Sequence, residues 1–199
     1  PDEHDDRPFA LSEVGLFDGD HVAPDLIGFT PAYTLWSDGL AKRRWVRLPP
    51  GTSIDNSDPD HWKLPIGAIL FKEFADGDRP LETRVVARIG PGNFDYWMGA
   101  FVWREDGSDA DFVRAGAVDV LGTDHDVPSA ERCWSCHVGT PGRMLGLTGV
   151  QMTADDLTAL APHVTTPAEV VPVPGTREEQ AALGYLHANC SHCHSPTGV

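Results

Sequence analysis

The chain has 199 residues, with 15 Lys and Arg against 30 Asp and Glu, a formal net charge of −15 and 41 % hydrophobic residues. This length suffices for one or two compact domains, and six Trp and eight Phe exclude an acidic disordered chain for most of the sequence. The acidic balance argues against nucleic-acid binding, which depends on clustered Lys and Arg, and no run of 18 apolar residues is present to span a bilayer.

Residues 1–120 predict an antiparallel β-rich module, folded as a sandwich or barrel. Residues 1–30 are polar and begin with an acidic stretch, so little regular structure is expected there. Strand-like runs follow at residues 44–48, 66–74, 81–89 and 94–104, with a fifth at 117–121, and Pro, Gly and Asp turns separate them. The basic cluster at 42–44 is interpreted as an edge or solvated strand with Lys42 and Arg44 on one face and Arg43 on the other.

Residues 121–199 change to a helical pattern. Ser129 is expected to cap a helix that carries residues 133–137, and Thr153 with Asp156 begins a second helix that ends near residue 160. A proline-rich linker at 165–175 precedes Thr176 and Glu179, which form a capping box for a helix over 178–193. The predicted fold class is therefore α+β, a β-rich module followed by a small, mostly helical segment.

All four cysteines lie in two pentapeptides of the same form, Cys-x-x-Cys-His. They are Cys133-Trp-Ser-Cys136-His137 and Cys190-Ser-His-Cys193-His194. This pattern is the attachment signature of c-type haem. On a helix, positions i, i+3 and i+4 share one face, so two thiols can reach the two haem vinyl groups while the histidine lies beneath the iron. The sequence therefore predicts two covalently bound haems.

Two other uses of paired cysteines fit less well. Zinc ribbons place their Cys-x-x-Cys pairs about 15–20 residues apart, whereas 53 residues lie between Cys136 and Cys190. Zinc also gives no reason for a histidine directly after both pairs. A thioredoxin-like dithiol normally belongs to a βαβ unit, which this sequence lacks. The acidic clusters at 55–60 and 106–111 could hold calcium, but neither matches the Asp-x-Asp-x-Asp-Gly loop.

The sixth iron ligand of each haem is left open by the sequence. Candidates for the first haem are His125, His163 and Met144, although a polar turn, a helix end and core packing explain these residues equally well. His187 shares a helix face with His194 and cannot reach the opposite side of the same haem. It could ligate a neighbouring haem, including one in another subunit, where His4 or His21 could also act.

Several further runs carry a resemblance to a known family. They are LWSDG at 35–39, KRRW at 42–45, LPIG at 64–67, ETR at 82–84, WREDG at 103–107, VPS at 127–129 and YLHAN at 185–189. Together with the two Cys-x-x-Cys-His motifs, they resemble a poorly characterised family of dihaem c-type cytochromes from Gram-negative bacteria. The resemblance implies a cytochrome c-type segment at 121–199 and a redox role in the periplasm or outside the cell.

Members of that family usually continue well beyond the second motif, whereas five residues follow His194. We therefore expect either a truncated chain or a second polypeptide over the second haem, because a bare haem exposes a large apolar surface. The first residue is not Met and no leader precedes it, which is expected of a trimmed, exported product.

The sequence favours a dihaem electron-transfer protein that exchanges single electrons with redox protein partners. One alternative is a haem enzyme, peroxidase-like or oxidase-like, with one open iron position. The other is a subunit of a homo-oligomer or filament in which haems lie close together across subunits.

Overall fold

Six strands form one antiparallel sheet in which each strand pairs with the next along the chain. They are β3 (Leu26–Gly28), β4 (Ala41–Arg47), β5 (Ile69–Asp76), β6 (Arg79–Arg88), β7 (Tyr96–Trp103) and β8 (Ala110–Phe112). The computed structural model describes residues 8–196. A separate two-stranded hairpin, β1 (Phe17–Asp18) with β2 (His21–Val22), precedes this sheet. Gly77, at φ 58°, supplies the left-handed residue that the two-residue turn between β5 and β6 requires.

Both faces of the sheet are buried, which explains the nearly continuous apolar runs of its central strands. On one face Phe71, Val85 and Phe101 pack with Leu11 and Leu16 from the N-terminal part. On the other face a second cluster joins the strands to the helical part of the chain, and its members include Val46, Leu70, Val86, Met98, Met144, Leu147, Met152 and Leu160. The β-rich and helical parts therefore share one hydrophobic core.

Three α-helices follow the sheet. They are α1 (Ala130–His137), α2 (Ala154–Leu160) and α3 (Arg177–Cys190). Thr153 and Thr176 cap α2 and α3 with the predicted capping boxes. The helix predicted over 178–193 ends earlier, at Cys190, and the chain continues in turns through the second motif. None of the helices within residues 8–196 is long and apolar enough to cross a membrane.

The α+β class and the antiparallel β-rich N-terminal part are confirmed, but three local predictions are wrong. The layers on the faces of the main sheet are a short hairpin and the helical part, not a second full sheet. Residues 117–121 form a single bridge and a 3₁₀ turn, because Asp119 and Leu121 adopt positive φ angles. The N-terminal part contains β1, β2 and β3, and β3 extends the main sheet by pairing with residues 45–47. The predicted acidic lead and His4 lie outside the described residues.

Candidate functional site

Helix α1 carries the whole first motif. Cys133, Cys136 and His137 occupy positions i, i+3 and i+4, so their side chains lie on one face of the helix. All four cysteines of the protein are free thiols. Cys133 is half-buried against the core beside Trp134, and burial raises the pKa of its thiol, while Cys136 is exposed. The helix thus presents two thiols and one imidazole together.

The imidazole of His137 is oriented by a backbone carbonyl. Its Nδ1 atom lies 2.6 Å from the carbonyl oxygen of Arg143. Because a carbonyl can only accept, Nδ1 must carry the hydrogen, which leaves Nε2 as the atom with a free lone pair. Burial lowers the pKa of His137 to about 4, so the ring is neutral at pH 7. A neutral imidazole held through Nδ1 is the form that binds a metal through Nε2.

Arg143 fixes the loop that supplies this carbonyl. Its side chain is buried and donates to the carbonyl oxygens of Val138, Thr140 and Asn93, with Nε 2.9 Å from the last of these. Its backbone has φ 58°, an unusual conformation for a residue other than glycine. These bonds tie the end of α1 to the loop before β7. The sequence analysis missed Arg143, and the only available signal was a basic residue just beyond a helix C-terminus.

The second motif continues from the end of α3. The backbone N–H groups of Cys193 and His194 both donate to the carbonyl oxygen of Cys190, at 3.1 and 2.8 Å. These helix-like bonds preserve the i, i+3, i+4 spacing even though regular helix stops at Cys190. Cys190 and Cys193 are half-buried, and His194 is exposed.

Helix α3 is anchored to the loop between β3 and β4. The Asn189 side chain accepts from the Trp36 N–H at 2.8 Å and donates to the Thr34 carbonyl at 3.1 Å. One turn earlier, Gly184 packs so closely on the ring of Tyr33 that a Cβ atom there would lie 2.1 Å from two ring carbons. Two of the runs noted in the sequence, LWSDG and YLHAN, therefore meet in the fold.

The two motifs lie close to one another. Cys136 is exposed on the surface, but partial desolvation by the surrounding protein raises the pKa of its thiol, and the Cys193 thiol raises it further. His192, inside the second motif, likewise contributes to the lowered pKa of His137. Such electrostatic effects require that the groups be near neighbours. The fold thus brings together two motifs that are far apart in sequence.

Two candidate sixth ligands of the first haem are engaged elsewhere. His125 is 2 % exposed, and its Nε2 lies 2.8 Å from Oε2 of Glu82. Met144 is 1 % exposed and directly follows Arg143, whose carbonyl contacts Nδ1 of His137. Its side chain belongs to the hydrophobic core that joins the sheet to the helical part. His125 and Met144 thus have partners in the fold itself, and their roles as sixth ligands stay predictions.

The remaining histidine candidates lie on the helical part and on β2. His163 is half-buried in the 3₁₀ turn Ala161–His163, and its carbonyl accepts from the Ile54 N–H at 2.8 Å. His187 is half-buried, and its Nδ1 accepts from Gln151 Nε2 at 3.3 Å. His21 is exposed on β2. Their ligand roles stay predictions.

The basic run on β4 alternates as expected. Lys42 and Arg44 are half-buried on one face of the sheet, and Arg43 points to the other face, where it pairs with Glu73. Residues 41–43 pair only with β5, so this part of β4 is an edge, whereas the Arg44 carbonyl accepts from the Phe29 N–H at 3.1 Å. The sequence analysis missed that β5 and β6 add Lys72 and Arg84 to the same face.

The acidic clusters proposed for calcium form turns. Asp55 accepts from Ser57, and Asp106 accepts from Ser108 in the same way. Asp111 pairs with Arg104. Between residues 8 and 196, no group of three or more His, Cys, Asp or Glu side chains is arranged to hold a metal ion.

Comparison with known proteins adds no relative. A scan against protein-family models, a search of curated proteins and a search of solved structures each gave no match to the chain. Its function is therefore inferred from its own residues.

Proposed function

We propose that this protein is a dihaem c-type cytochrome that exchanges single electrons with redox protein partners. The observation that carries the proposal is the orientation of His137. Its Nδ1–H is held by the Arg143 carbonyl, on the helix that also presents the thiols of Cys133 and Cys136. Zinc ribbons and dithiol oxidoreductases do not require that combination.

The described residues fit c-type haem. The thiols of Cys133 and Cys136 would form thioether links, and Nε2 of His137 would be the axial ligand; Cys190, Cys193 and His194 would do the same at the second site. When bound, each haem supplies an iron that gains or loses one electron. The hydrogen bond to the Arg143 carbonyl fixes the imidazole plane and increases its basicity, which favours the ferric state.

The closeness of the two motifs supports electron exchange between the two sites. The Cys193 thiol raises the pKa of the Cys136 thiol, so groups attached to these two sulfurs would lie in the same region of the fold. The two haem-attachment motifs and the resemblance to dihaem cytochromes support a role in the periplasm or outside the cell. Redox proteins are the proposed partners, and a homo-oligomer or filament with contacts between haems of different subunits is a further form of the same proposal.

A haem enzyme is the second candidate, and one observation favours it. His125 is hydrogen-bonded to Glu82, and Met144 is buried in the core that joins the sheet to the helical part. If neither residue reaches the first iron, its sixth position is open to a small ligand unless another residue, such as His163, takes it. An open position is the feature that separates peroxidase-like or oxidase-like chemistry from electron transfer alone.

The test is a haem count on protein produced with haem-maturation factors. The pyridine haemochrome spectrum and the intact mass should give two haems per chain. The double variant C190A/C193A should give one haem, and so should C133A/C136A, whereas S191A, inside the second motif, should keep two. Colourless protein with the mass of the polypeptide alone would refute the proposal. Carbon monoxide binding to the reduced protein would favour the enzyme.

A further inference from the structure

Four basic side chains form a row across one face of the main sheet, next to the first motif. The cationic row consists of Lys42 and Arg44 on β4, Lys72 on β5 and Arg84 on β6. In the strand register Arg44 lies opposite Lys72, and Lys72 lies opposite Arg84. The amines of Lys42 and Lys72 and the guanidinium of Arg84 approach the ring of Phe74, at 6.0, 4.6 and 4.4 Å from its centroid. The chain thus concentrates four of its 15 basic residues at one place, although its net charge is −15.

Two carboxylates, Asp38 and Glu82, act on the four cations of the row, and Glu82 opposes the lowering of the Lys72 pKa. The buried carboxylate of Glu82 binds Arg84 through two hydrogen bonds, at 2.5 and 2.9 Å, and its Oε2 is also bound by His125. Lys42 donates to the Leu40 carbonyl at 3.0 Å, and the exposed Asp38 raises its pKa. Among the described residues, no carboxylate hydrogen-bonds or pairs with Lys72 or Arg44.

Burial and like-charge repulsion both act on these groups. Desolvation, with the charges of Arg44 and Arg84, lowers the pKa of Lys72 well below its usual value, and burial lowers the pKa of Arg44 to about 10. The side chain of Lys72 nevertheless keeps some exposed surface. Lys72 is therefore desolvated but not sealed from solvent. An anion that reaches a desolvated basic group stabilises its charged form.

The strand register places the cationic row beside helix α1, which carries the first motif. Cys133 and Trp134 of α1 pack against the core that contains Leu70 and Val86. Leu70 and Val86 face each other in the register, and Lys72 and Arg84 are the next pair along the same face.

We propose that Lys72 and Arg44 bind the propionate carboxylates of the haem attached at Cys133 and Cys136. This assignment rests on the proposed function and deepens it. A c-type haem carries two carboxylates, and its covalent tether would keep them beside the cationic row at high effective concentration. Two charge-assisted bonds would supply the missing counter-charges and fix how the porphyrin lies on the sheet.

The experiment is a redox titration of the two-haem protein, followed by visible absorption at pH 7 and fitted with two one-electron components. Lys72→Met keeps the aliphatic stem over Phe74 but removes the charge. It should lower the reduction potential of one component by about 59 mV, which is a tenfold decrease in the equilibrium constant for reduction. The reason is that a nearby cation favours the reduced iron. Arg44→Met should shift the same component in the same direction, and Lys72→Arg should restore the wild-type value.

The matched control is Lys63→Met, which removes the same charge from an exposed lysine outside the row. It should change the constant less than twofold. Equal shifts for Lys72→Met and Lys63→Met, or no shift in a protein that carries two haems, would overturn the assignment.

Titrations in phosphate, succinate and chloride at equal ionic strength distinguish carboxylates tethered to the haem from anions that diffuse in from the buffer. If the haem propionates occupy the cationic row, the reduction potential should be the same in all three buffers. A potential that depends on the anion would also overturn the assignment. A preparation without haem would instead refute the proposed function.

Discussion

The contact between Gly184 and Tyr33 gives a prediction in which the sign of the effect is decisive. A Cβ atom at residue 184 would lie 2.1 Å from two carbons of the Tyr33 ring, about 1.3 Å short of ordinary van der Waals contact. Gly184→Ala therefore forces α3 away from the loop that holds Tyr33. In a helix that touched nothing, the same substitution would stabilise the protein by about 1 kcal/mol, because alanine is the better helix former.

Overpacking of a close contact typically costs about 1–3 kcal/mol. We take the upper end of this cost, about 3 kcal/mol, because the clash is severe. The gain in helix propensity offsets about 1 kcal/mol of it. We therefore expect Gly184→Ala to weaken the docking of α3 by about 2 kcal/mol. That corresponds to a roughly 30-fold increase in local opening. Trp36 is the natural reporter, because its N–H donates to Asn189 on the same helix and is released when α3 undocks.

Amide hydrogen exchange at Trp36 measures this opening in the folded protein. Exchange should be roughly 30-fold faster in Gly184→Ala. In a Tyr33→Ala background the same substitution should slow exchange, because the ring that opposes the new methyl group is absent. Ala182→Gly, at an exposed position of α3, controls for propensity and should cost about 1 kcal/mol. Slower exchange in Gly184→Ala alone would mean that α3 does not dock on Tyr33, and would refute the reasoning.

Two further predictions concern the buried polar groups. Arg143→Ala removes charge-assisted hydrogen bonds to three carbonyls. It should lower the free energy of unfolding, measured by urea titration, by about 3 kcal/mol. A loss below about 1 kcal/mol would contradict this role of Arg143. Burial alone would raise the pKa of Glu82, but hydrogen bonds from His125 and Arg84 lower it below 4.5. The ionised carboxylate therefore stabilises the fold above pH 4.5, and this contribution is lost as the pH falls through the lowered pKa. The difference in Tm between wild type and Glu82→Gln should accordingly be large at pH 7 and shrink below pH 4, and a difference independent of pH would be inconsistent with a charged Glu82.

Local signals predicted the helices well. The capping pairs Thr153 with Asp156 and Thr176 with Glu179 act within one turn, so their helices could be read from the sequence. The first motif was predicted for the same reason, because helical spacing alone places Cys133, Cys136 and His137 on one face of α1. β3 was missed because its three residues become a strand only by pairing with residues 45–47.

The surroundings of the site depend on distant residues and could not be read in this way. His125 looked available as a ligand, but its partner Glu82 lies 43 positions away in sequence. Arg143 binds the carbonyl of Asn93, 50 positions away. Lys72 lies inside a correctly predicted strand, but only the register with β4 and β6 places Arg44 and Arg84 beside it.

The half-buried position of Cys133 bears on the order of events during biogenesis. Its side chain packs with Trp134 against the core shared by sheet and helices, and its Sγ lies 3.7 Å from the Ser129 carbonyl. An enzyme that links a prosthetic group to this sulfur needs access to it, and the core on one side of Cys133 restricts that access. Under the proposed function, ligation at Cys133 is therefore expected to be faster before α1 docks on β7, and a chain that folds first would become a poorer substrate for its own maturation machinery.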